Sequence, residues 1–307
     1  MAQDKAEKVI PIPNGYKFLF GGTAGMMATC FVQPLDLLKN RMQMSGAGGK
    51  AKEYNSSVQA LISIIQKEGV FTLYNGLSAG LLRQATYTTT RLGIYTWLFD
   101  LFTFDGKPPN FAIKASIGMI AGVCGAFVGT PAEVALIRMT SDGRLPPDKR
   151  RNYKSVIDAL LRIWKEEGIT TWWKGAVPTM GRALVVNAAQ LATYSQTKQW
   201  LIGTGHFQEG IICHFFASMI AGLITTAASL PVDIIKTRIQ NAKAAAGQKQ
   251  PALFDVLTVI IKDEGILALW KGFMPYYFRL GPHTVLTFIF LEQFNSAYRR
   301  LHRHDNN

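Results

Sequence analysis

Apolar residues cluster in three long runs that contain few charges. These runs are 18–38, 115–137 and 213–235. A helix needs roughly 20 residues to cross a bilayer, so each run predicts one membrane-spanning helix. Three further segments mix apolar and polar residues in a pattern typical of amphipathic helices. They lie near 77–99, 177–200 and 274–296. Such helices are expected where one stripe faces water inside a bundle, so the chain predicts six spans.

One pattern occurs three times along the chain. Segments that align without a gap lie at 21–43, 118–140 and 218–240. In each of them, an acid follows a proline by two residues. A second block recurs downstream, as EGVFTLYNG (68–76), EGITTWWKG (167–175) and EGILALWKG (264–272). Repetition at a fixed period indicates one structural unit used several times. The predicted units are 15–106, 107–205 and 206–302.

The composition limits the class of protein. Hydrophobic residues make up 48% of the 307 residues and charged residues 17%, which is less charged than a typical soluble domain. The formal net charge of +13 is compatible with nucleic acid, an anionic membrane surface or an anionic ligand as the partner. Basic residues are spread through apolar stretches and do not form one basic patch interleaved with aromatics. A nucleic-acid partner is therefore disfavoured.

Charge also predicts the orientation of the helices. The long connections 42–75, 140–174 and 239–271 together hold 15 Lys and Arg residues, whereas the short connections 100–114 and 199–213 hold 2. Positively charged loops favour the inner side of a membrane. The long connections are therefore expected to face the inner compartment, with both termini on the opposite side.

The repeated blocks resemble those of the mitochondrial carrier family. Versions of its Pro-x-[Asp/Glu]-x-x-[Lys/Arg]-x-[Lys/Arg] and [Asp/Glu]-Gly-x-x-x-x-[aromatic]-[Lys/Arg]-Gly motifs occur in all three copies, and the likeness covers nearly the whole chain. The resemblance implies an all-α membrane protein with six transmembrane helices in a three-fold pseudosymmetric bundle and short amphipathic helices in the matrix. It also implies the mitochondrial inner membrane, termini in the intermembrane space, and transport by alternating access.

Charged residues that follow each repeated proline resemble the family's gate on the matrix side. We call this set the matrix ring: Asp36, Lys39, Glu133, Asp233 and Lys236. The alternative is that they are ordinary interfacial charges at a helix end. Ionisable residues within membrane segments are usually functional, and these recur three times, so a gate is favoured.

The resemblance also implies the partners within the matrix ring. With the six predicted spans numbered in chain order, the cation of one odd-numbered span is expected to meet the acid of the next odd-numbered span. The expected pairs are Lys39 with Glu133 and Lys236 with Asp36. Asp233 is then left without its family partner, because Leu136 stands where a base is expected. Two ring pairs are therefore predicted instead of three. The family's bracing glutamines are matched at Gln43 and Gln240.

The gate on the intermembrane side is incomplete. The family carries [Phe/Tyr]-[Asp/Glu]-x-x-[Lys/Arg] late in each even-numbered helix. The matching stretches here are FDLFT (99–103), YSQTK (194–198) and LEQFN (291–295). The charged positions that remain are Asp100, Lys198 and Glu292. At most one simple ion pair can form among them, so this gate is expected to be the weaker one.

Arg83, Tyr87 and Arg91 are spaced four residues apart, so they share a helix stripe about 80° wide and about 12 Å long. An arginine at mid-membrane costs about 2.5–3.5 kcal/mol, so it needs water, a carboxylate or an anionic solute nearby. A structural ion pair to a neighbouring helix is the alternative. Arg182 and Arg279 lie at similar depths, and they match solute contact points of the family. Together these arginines favour an anion with a carboxylate at each end.

Gly76, Gly175 and Gly272 open the even-numbered helices beside aromatic and often basic residues. Exposed amide groups at a helix start bind phosphates, and the family resemblance implies cardiolipin there. A plain helix start is the alternative. The three cysteines and five histidines show no spacing typical of metal ligands, so neither a metal nor a cofactor is expected.

The likeness is strongest to dicarboxylate-exchanging members of the family, through the stretches 76–95, 129–139 and 275–293. It implies antiport of 2-oxoglutarate against malate. A carrier of other di- or tricarboxylates or keto acids is the alternative of the same class. A membrane scaffold would not need arginines at mid-depth. An enzyme is disfavoured because no nucleophile, base and oxyanion donor stand at a catalytic spacing.

Overall fold

The computed structural model describes residues 13–46, 53–103, 109–145, 148, 150–204, 211–241 and 253–303. The expected unit boundaries at 106–107 and 205–206 lie outside these residues. The helices of this part of the chain are α1 (Asn14–Met44), α2 (Ser57–Glu68), α3 (Leu77–Leu101), α4 (Phe111–Ser141), α5 (Val156–Glu167), α6 (Ala176–Gly203), α7 (Ile211–Asn241), α8 (Leu253–Glu264) and α9 (Phe273–Arg303).

Six long helices form a closed ring in the order α1, α3, α4, α6, α7 and α9, and α9 packs back against α1. Among the described residues, three segments are long and apolar enough to cross a membrane. They are Phe18–Met44, Ala112–Arg144 and Met219–Asn241. The helices α3, α6 and α9 complete the bundle. The predicted all-α bundle of six helices is confirmed.

Counted in chain order among the six long helices, α1, α4 and α7 are the odd-numbered helices of the bundle, and α3, α6 and α9 are the even-numbered ones. Each odd-numbered helix contains an internal proline. Pro34, Pro131 and Pro231 lie within α1, α4 and α7, which have 31 residues each. Proline removes one backbone hydrogen bond and kinks a helix. The three helices also contact one another, and the ion pairs between them involve residues that follow the prolines. The prolines therefore mark where the bundle begins to close.

The three short helices pack on the closed end of the bundle. Ser56 and Ser155 cap α2 and α5, because each side chain accepts a hydrogen bond from the backbone N–H three residues later, at 3.2 and 3.3 Å. The apolar face of α2 is buried against α1, where Ile64 is packed with Leu37. Equivalent clusters join α5 to α4 and α8 to α7. The apolar core of the protein therefore lies mainly at this end.

Three buried arginines join each unit to its neighbour. Each forms a double ion pair with the glutamate that ends the short helix of its own unit, as Arg41–Glu68, Arg138–Glu167 and Arg238–Glu264. The same arginines donate to late backbone carbonyls of another odd-numbered helix, Arg41 to Thr140 at 3.0 Å, Arg138 to Gln240 at 3.3 Å and Arg238 to Gln43 at 3.5 Å. The contacts run from unit to unit and back to the first, so they close the bundle at this end.

Candidate functional site

The matrix ring contains two buried lysine–carboxylate pairs. Lys39 Nζ lies 2.6 Å from Asp233 Oδ2, and Lys236 Nζ lies 2.9 Å from Glu133 Oε1. The expected partners, Lys39 with Glu133 and Lys236 with Asp36, are wrong. Each cation meets the acid of the preceding odd-numbered helix around the ring, and not the acid of the next one.

Because the pairs run around the axis in the direction opposite to the expected one, the acid that lacks a partner on an odd-numbered helix is Asp36 and not Asp233. A base at position 136 of α4 would face the acid of α1, which is Asp36, and Leu136 occupies that position. Asp233 has a lysine partner after all. The motif spacing is symmetric with respect to the two directions around the axis, so it could not distinguish them.

Two arginines predicted to contact solute extend the matrix ring. Arg279 Nε lies 2.8 Å from Asp36 Oδ1, and Arg182 Nε lies 3.1 Å from Asp233 Oδ1. The structural ion pair that was the alternative for the stripe at 83–91 is thus found instead at Arg182 and Arg279, each of which pairs with an acid of a neighbouring helix. A solute carboxylate that reached them would compete with carboxylates of the protein.

The bracing glutamines lie beneath the ring pairs. Gln43 Oε1 accepts a hydrogen bond from Thr237 at 2.8 Å, one helical turn after Asp233. Gln240 Nε2 donates to Thr179 Oγ1 at 3.1 Å, and that hydroxyl lies 3.2 Å from Glu133. Gln240 therefore reaches its ion pair through Thr179, a residue that the motif did not indicate.

A cavity of about 540 Å³ opens between the even-numbered helices on the far side of the arginines from the ring. A second cavity of about 30 Å³ lies at the matrix ring itself. Arg83, Arg182 and Arg279 line both cavities and form the boundary between them. Mid-depth guanidinium groups thus face the open cavity on one side and the acids of the ring on the other.

The stripe on α3 lines the open cavity as its spacing predicts. Arg83, Tyr87 and Arg91 all contribute to the cavity wall, and Arg91 is exposed. Arg83 Nε is buried and makes no hydrogen bond to any described residue. The four arginines of the expected site are therefore brought together, but only Arg83 and Arg91 lack an ion pair within the described part of the chain.

Tyr276 is a buried contact that the sequence did not reveal. The Lys39 ammonium lies 3.9 Å from the centre of its ring, and its hydroxyl accepts a hydrogen bond from Arg182 at 3.3 Å. Tyr276 is only 4% exposed. It lies one turn before Arg279 on α9, and this spacing is the only feature of the sequence that could have indicated Tyr276 as a site residue. His283, one turn after Arg279, also lines the cavity and was likewise missed.

The residues of the expected intermembrane-side gate lie far along the even-numbered helices. Asp100 and Glu292 are exposed and Lys198 is half-buried. The expectation that this gate is the weaker one stays a prediction.

The three glycines begin the even-numbered helices in a left-handed backbone conformation. Their φ angles are 85° at Gly76, 78° at Gly175 and 83° at Gly272, which favours glycine over any residue with a Cβ. Gly272 lies in a recess of about 370 Å³ with Lys271 and the capping residue Ser56. The start of α9 and the capped start of α2 therefore meet in this recess beside a basic side chain.

Comparison with known proteins assigns nearly the whole chain to one protein family. The model of the family described as "Mitochondrial carrier protein" matches residues 11–106, 107–205 and 207–302. The chain is 66% identical over 291 residues to the mitochondrial 2-oxoglutarate/malate carrier protein of Bos taurus, covering 94% of this chain and 93% of that protein. It is 66% identical over 288 residues to the protein of the same name from Caenorhabditis elegans, covering 94% of each. It is also 40% identical over 309 residues to mitochondrial uncoupling protein 4 of Arabidopsis thaliana, covering 92% of this chain and 98% of that protein.

Proposed function

We propose that this chain, which belongs to the mitochondrial carrier family, exchanges 2-oxoglutarate for malate across the mitochondrial inner membrane. The observation that carries the proposal is a cavity lined by four arginines, open on one side and closed on the other by the matrix ring. The protein is a carrier and not an enzyme. Similarity to named 2-oxoglutarate/malate carriers supports the choice of solutes.

The chemistry of the cavity suits a small dianion. A guanidinium group binds a carboxylate through two parallel hydrogen bonds, which an ammonium group cannot do. Arg83 and Arg91 are about 12 Å apart along the axis of α3, and Arg182 and Arg279 face them from α6 and α9. A solute with a carboxylate at each end can therefore be held at two points. Exchange of two dianions moves no net charge.

The ion pairs supply the alternation of access. With the matrix ring closed, solute enters and leaves only through the open cavity. Opening of the ring must separate Lys39 from Asp233 and Lys236 from Glu133, both buried, so it is costly without compensation. Interactions that bound solute makes with the arginines lower this barrier, since a ligand shifts a conformational equilibrium only through its differential affinity.

The proposed orientation has the ring and the short helices on the matrix side and both termini in the intermembrane space. The 15 Lys and Arg residues of the long connections support it. Protease treatment of mitochondria with a ruptured outer membrane tests it. Loss of a tag fused to either terminus is expected, and protection of both tags would contradict the orientation.

Cardiolipin is the proposed lipid partner at Gly76, Gly175 and Gly272. The glycine-started helices and basic neighbours such as Lys271 support a doubly charged phospholipid. Thermal unfolding of the purified protein, titrated with cardiolipin or with singly charged phosphatidylglycerol, tests this. Equal stabilisation by the two lipids would contradict a specific site.

Transport by purified protein in liposomes tests the function. Liposomes loaded with malate are expected to take up labelled 2-oxoglutarate, and liposomes without internal dicarboxylate are not. Uptake that ignored internal malate would exclude exchange. Faster uptake of citrate, or of a keto acid other than 2-oxoglutarate, would favour the alternative of a carrier for other di- or tricarboxylates or keto acids.

Arg91→Ala is expected to lower the exchange rate at low 2-oxoglutarate by roughly 10- to 100-fold, the value of one charge-assisted hydrogen bond lost. Initial uptake rates at several concentrations measure it. Arg300→Ala is the matched control, because Arg300 is exposed near the end of α9 and does not line the cavity. A similar loss in both variants would show that net charge, and not the site, is responsible.

A further inference from the structure

We propose that Arg279 is the third cation of the matrix ring as well as a solute contact, so that a solute carboxylate takes this arginine from Asp36 as the ring opens. The proposal rests on the exchange function given above and adds how binding is coupled to opening. Arg279 Nε lies 2.8 Å from Asp36 Oδ1, and both residues line the small cavity at the ring.

The role of Arg279 follows from the absence of a basic residue at one of the three motif positions of the matrix ring. Lys39 and Lys236 occupy the same motif position in α1 and α7, and Leu136 occupies it in α4. Leu136 is buried in an apolar cluster with Ala79 and Met139, so it provides no charge to the acid that faces it.

Asp36 is 5% exposed and therefore needs a cation. Within the described residues, Arg279 is its one ion-pair partner. A helix that belongs to a different unit thus supplies the missing charge.

The two arginines that touch the ring are not equivalent. Asp233 is surrounded by Lys39 at 2.6 Å, Arg182 at 3.1 Å and Lys236 at 3.5 Å. If Arg182 turns toward solute, Asp233 keeps two lysines. If Arg279 turns toward solute, Asp36 keeps no ion-pair partner among the described residues, although Arg83 lines the same small cavity. Withdrawal of Arg279 therefore weakens the ring far more than withdrawal of Arg182.

This arrangement explains why opening would require solute. When the ring opens, the end of α1 moves toward water, where Asp36 is hydrated. Arg279 stays at mid-depth, between the two cavities, and would be left there as an unpaired charge. A solute carboxylate replaces Asp36 as its partner. The empty carrier lacks that replacement, so its ring stays closed and transport in either direction is tied to a bound anion.

A charge rescue tests the pairing of Arg279 with Asp36 separately from transport. The thermal unfolding of purified, solute-free carrier is followed with a thiol-reactive dye, since the chain has three free cysteines. Arg279→Ala is expected to lower the unfolding temperature by several degrees and to abolish exchange. Adding Leu136→Lys is expected to restore the temperature but not the exchange, because the new lysine pairs with Asp36 and cannot bind solute at position 279.

Two further variants keep the test decisive. Leu136→Met combined with Arg279→Ala preserves volume without charge and is expected to give no rescue. Asp36→Asn combined with Arg279→Ala removes the unpaired carboxylate and is expected to recover stability, even if a lysine at position 136 is poorly tolerated. If neither Leu136→Lys nor Asp36→Asn stabilises the Arg279→Ala protein more than Leu136→Met does, the proposal is overturned.

Kinetics of the single Leu136→Lys variant test the coupling itself. Asp36 then has a permanent partner and Arg279 is free for solute, so the KM for 2-oxoglutarate is expected to fall or stay unchanged. The maximal exchange rate is expected to fall by roughly 5- to 150-fold, the usual range of a coupling between two sites. An unchanged maximal rate would overturn the coupling. Failure of the wild-type protein to exchange 2-oxoglutarate would overturn the function, and the stability rescue would be unaffected.

Discussion

Asp36 and Asp233 occupy the same motif position in two repeats, yet their surroundings differ. Asp233 lies within 3.5 Å of three cations, whereas Asp36 has Arg279 alone among the residues described. Leu136, on a third helix, accounts for one of the two cations that Asp36 lacks, and the other is Lys39, which pairs with Asp233 and not with the acid of its own helix. A residue's role in the gate is therefore set by what faces it across the bundle axis.

Tyr276 provides a test at this scale. Tyr276→Phe keeps the aromatic ring beneath Lys39 and removes the hydroxyl that accepts a hydrogen bond from Arg182. A small rise in the KM for 2-oxoglutarate with little change in stability is therefore expected. Tyr276→Leu also removes the cation–π contact and is expected to cost a further 1–2 kcal/mol, approximately, of unfolding free energy. Thermal unfolding and exchange kinetics of both variants measure this. Equal stability of the two would contradict a role for the aromatic ring.

Between elements, the approach of α3 to α4 sets the position of the solute stripe. A Cβ at Gly125 of α4 would lie 3.0 Å from the backbone oxygen of Tyr87 and 3.2 Å from Arg91 Cβ. These distances are tighter than ordinary van der Waals contact. The absence of a side chain at position 125 therefore lets the stripe on α3 pack where it does.

Gly125→Ala is expected to push α3 away from α4, at a cost of about 1–3 kcal/mol of stability, and to raise the KM for 2-oxoglutarate. Gly118→Ala is the matched control on the same helix, because a Cβ at Gly118 would meet no neighbouring atom within 4 Å, and it is expected to be neutral or stabilising. Thermal unfolding and uptake kinetics compare the two. A more stable or fully active Gly125→Ala protein would contradict the close packing.

Glu264 links α8 to α7 and to the start of α9. Burial opposes its ionisation, but hydrogen bonds from Arg238 and Lys271 outweigh burial and hold the pKa of Glu264 below its usual range. A depressed pKa in the folded state adds stability above the unfolded value of about 4.3, and that contribution is lost as the pH falls toward the folded pKa.

Glu264→Gln is therefore expected to be less stable than the wild type at neutral pH, with a difference that shrinks as the pH falls below about 4.3. Unfolding temperatures measured over a range from neutral to acidic pH give the two curves. Asp263→Asn provides the control, since Asp263 is the exposed neighbour on the same helix. Curves for Glu264→Gln and wild type that stay parallel would exclude the ion pair as the cause.

At the scale of the whole molecule, the two ends of the bundle are held unequally. The matrix ring, the arginine–glutamate pairs and most of the apolar core lie at one end. The other end carries the incomplete motif with Asp100 and Glu292 exposed. An empty carrier is therefore expected to rest with its cavity open to the intermembrane side.

Single cysteines test this asymmetry in a protein whose native cysteines are replaced by serine. Val186→Cys lines the cavity and is expected to react with a membrane-impermeant thiol reagent from the intermembrane side. Ile234→Cys is fully buried beneath the ring and serves as the unreactive control. The rate of labelling without solute is the measurement. If Val186→Cys reacts no faster than Ile234→Cys, the intermembrane-side gate is not the weaker one.

Much of the fold follows from the chain alone because its determinants are local. Apolar runs of bilayer length, a proline at a fixed place in three helices and recurring glycine-started helices each depend on neighbours within a few residues. The members of the candidate site were also accessible, since Arg83, Tyr87 and Arg91 share one face of one helix. Their partners were not, because Asp36 meets Arg279 across 243 positions of sequence.

The sequence by itself determined the six helices, the three-fold repetition, the family and the charges that line the axis. Only the tertiary structure decided which lysine meets which acid, that Arg182 and Arg279 also belong to the ring, and that Tyr276 lies between Lys39 and Arg182. The physical reason is that periodicity specifies the face of a helix to which a residue belongs. The partner on that face depends on the order of the helices around the axis and on their depth relative to one another, which no local pattern contains.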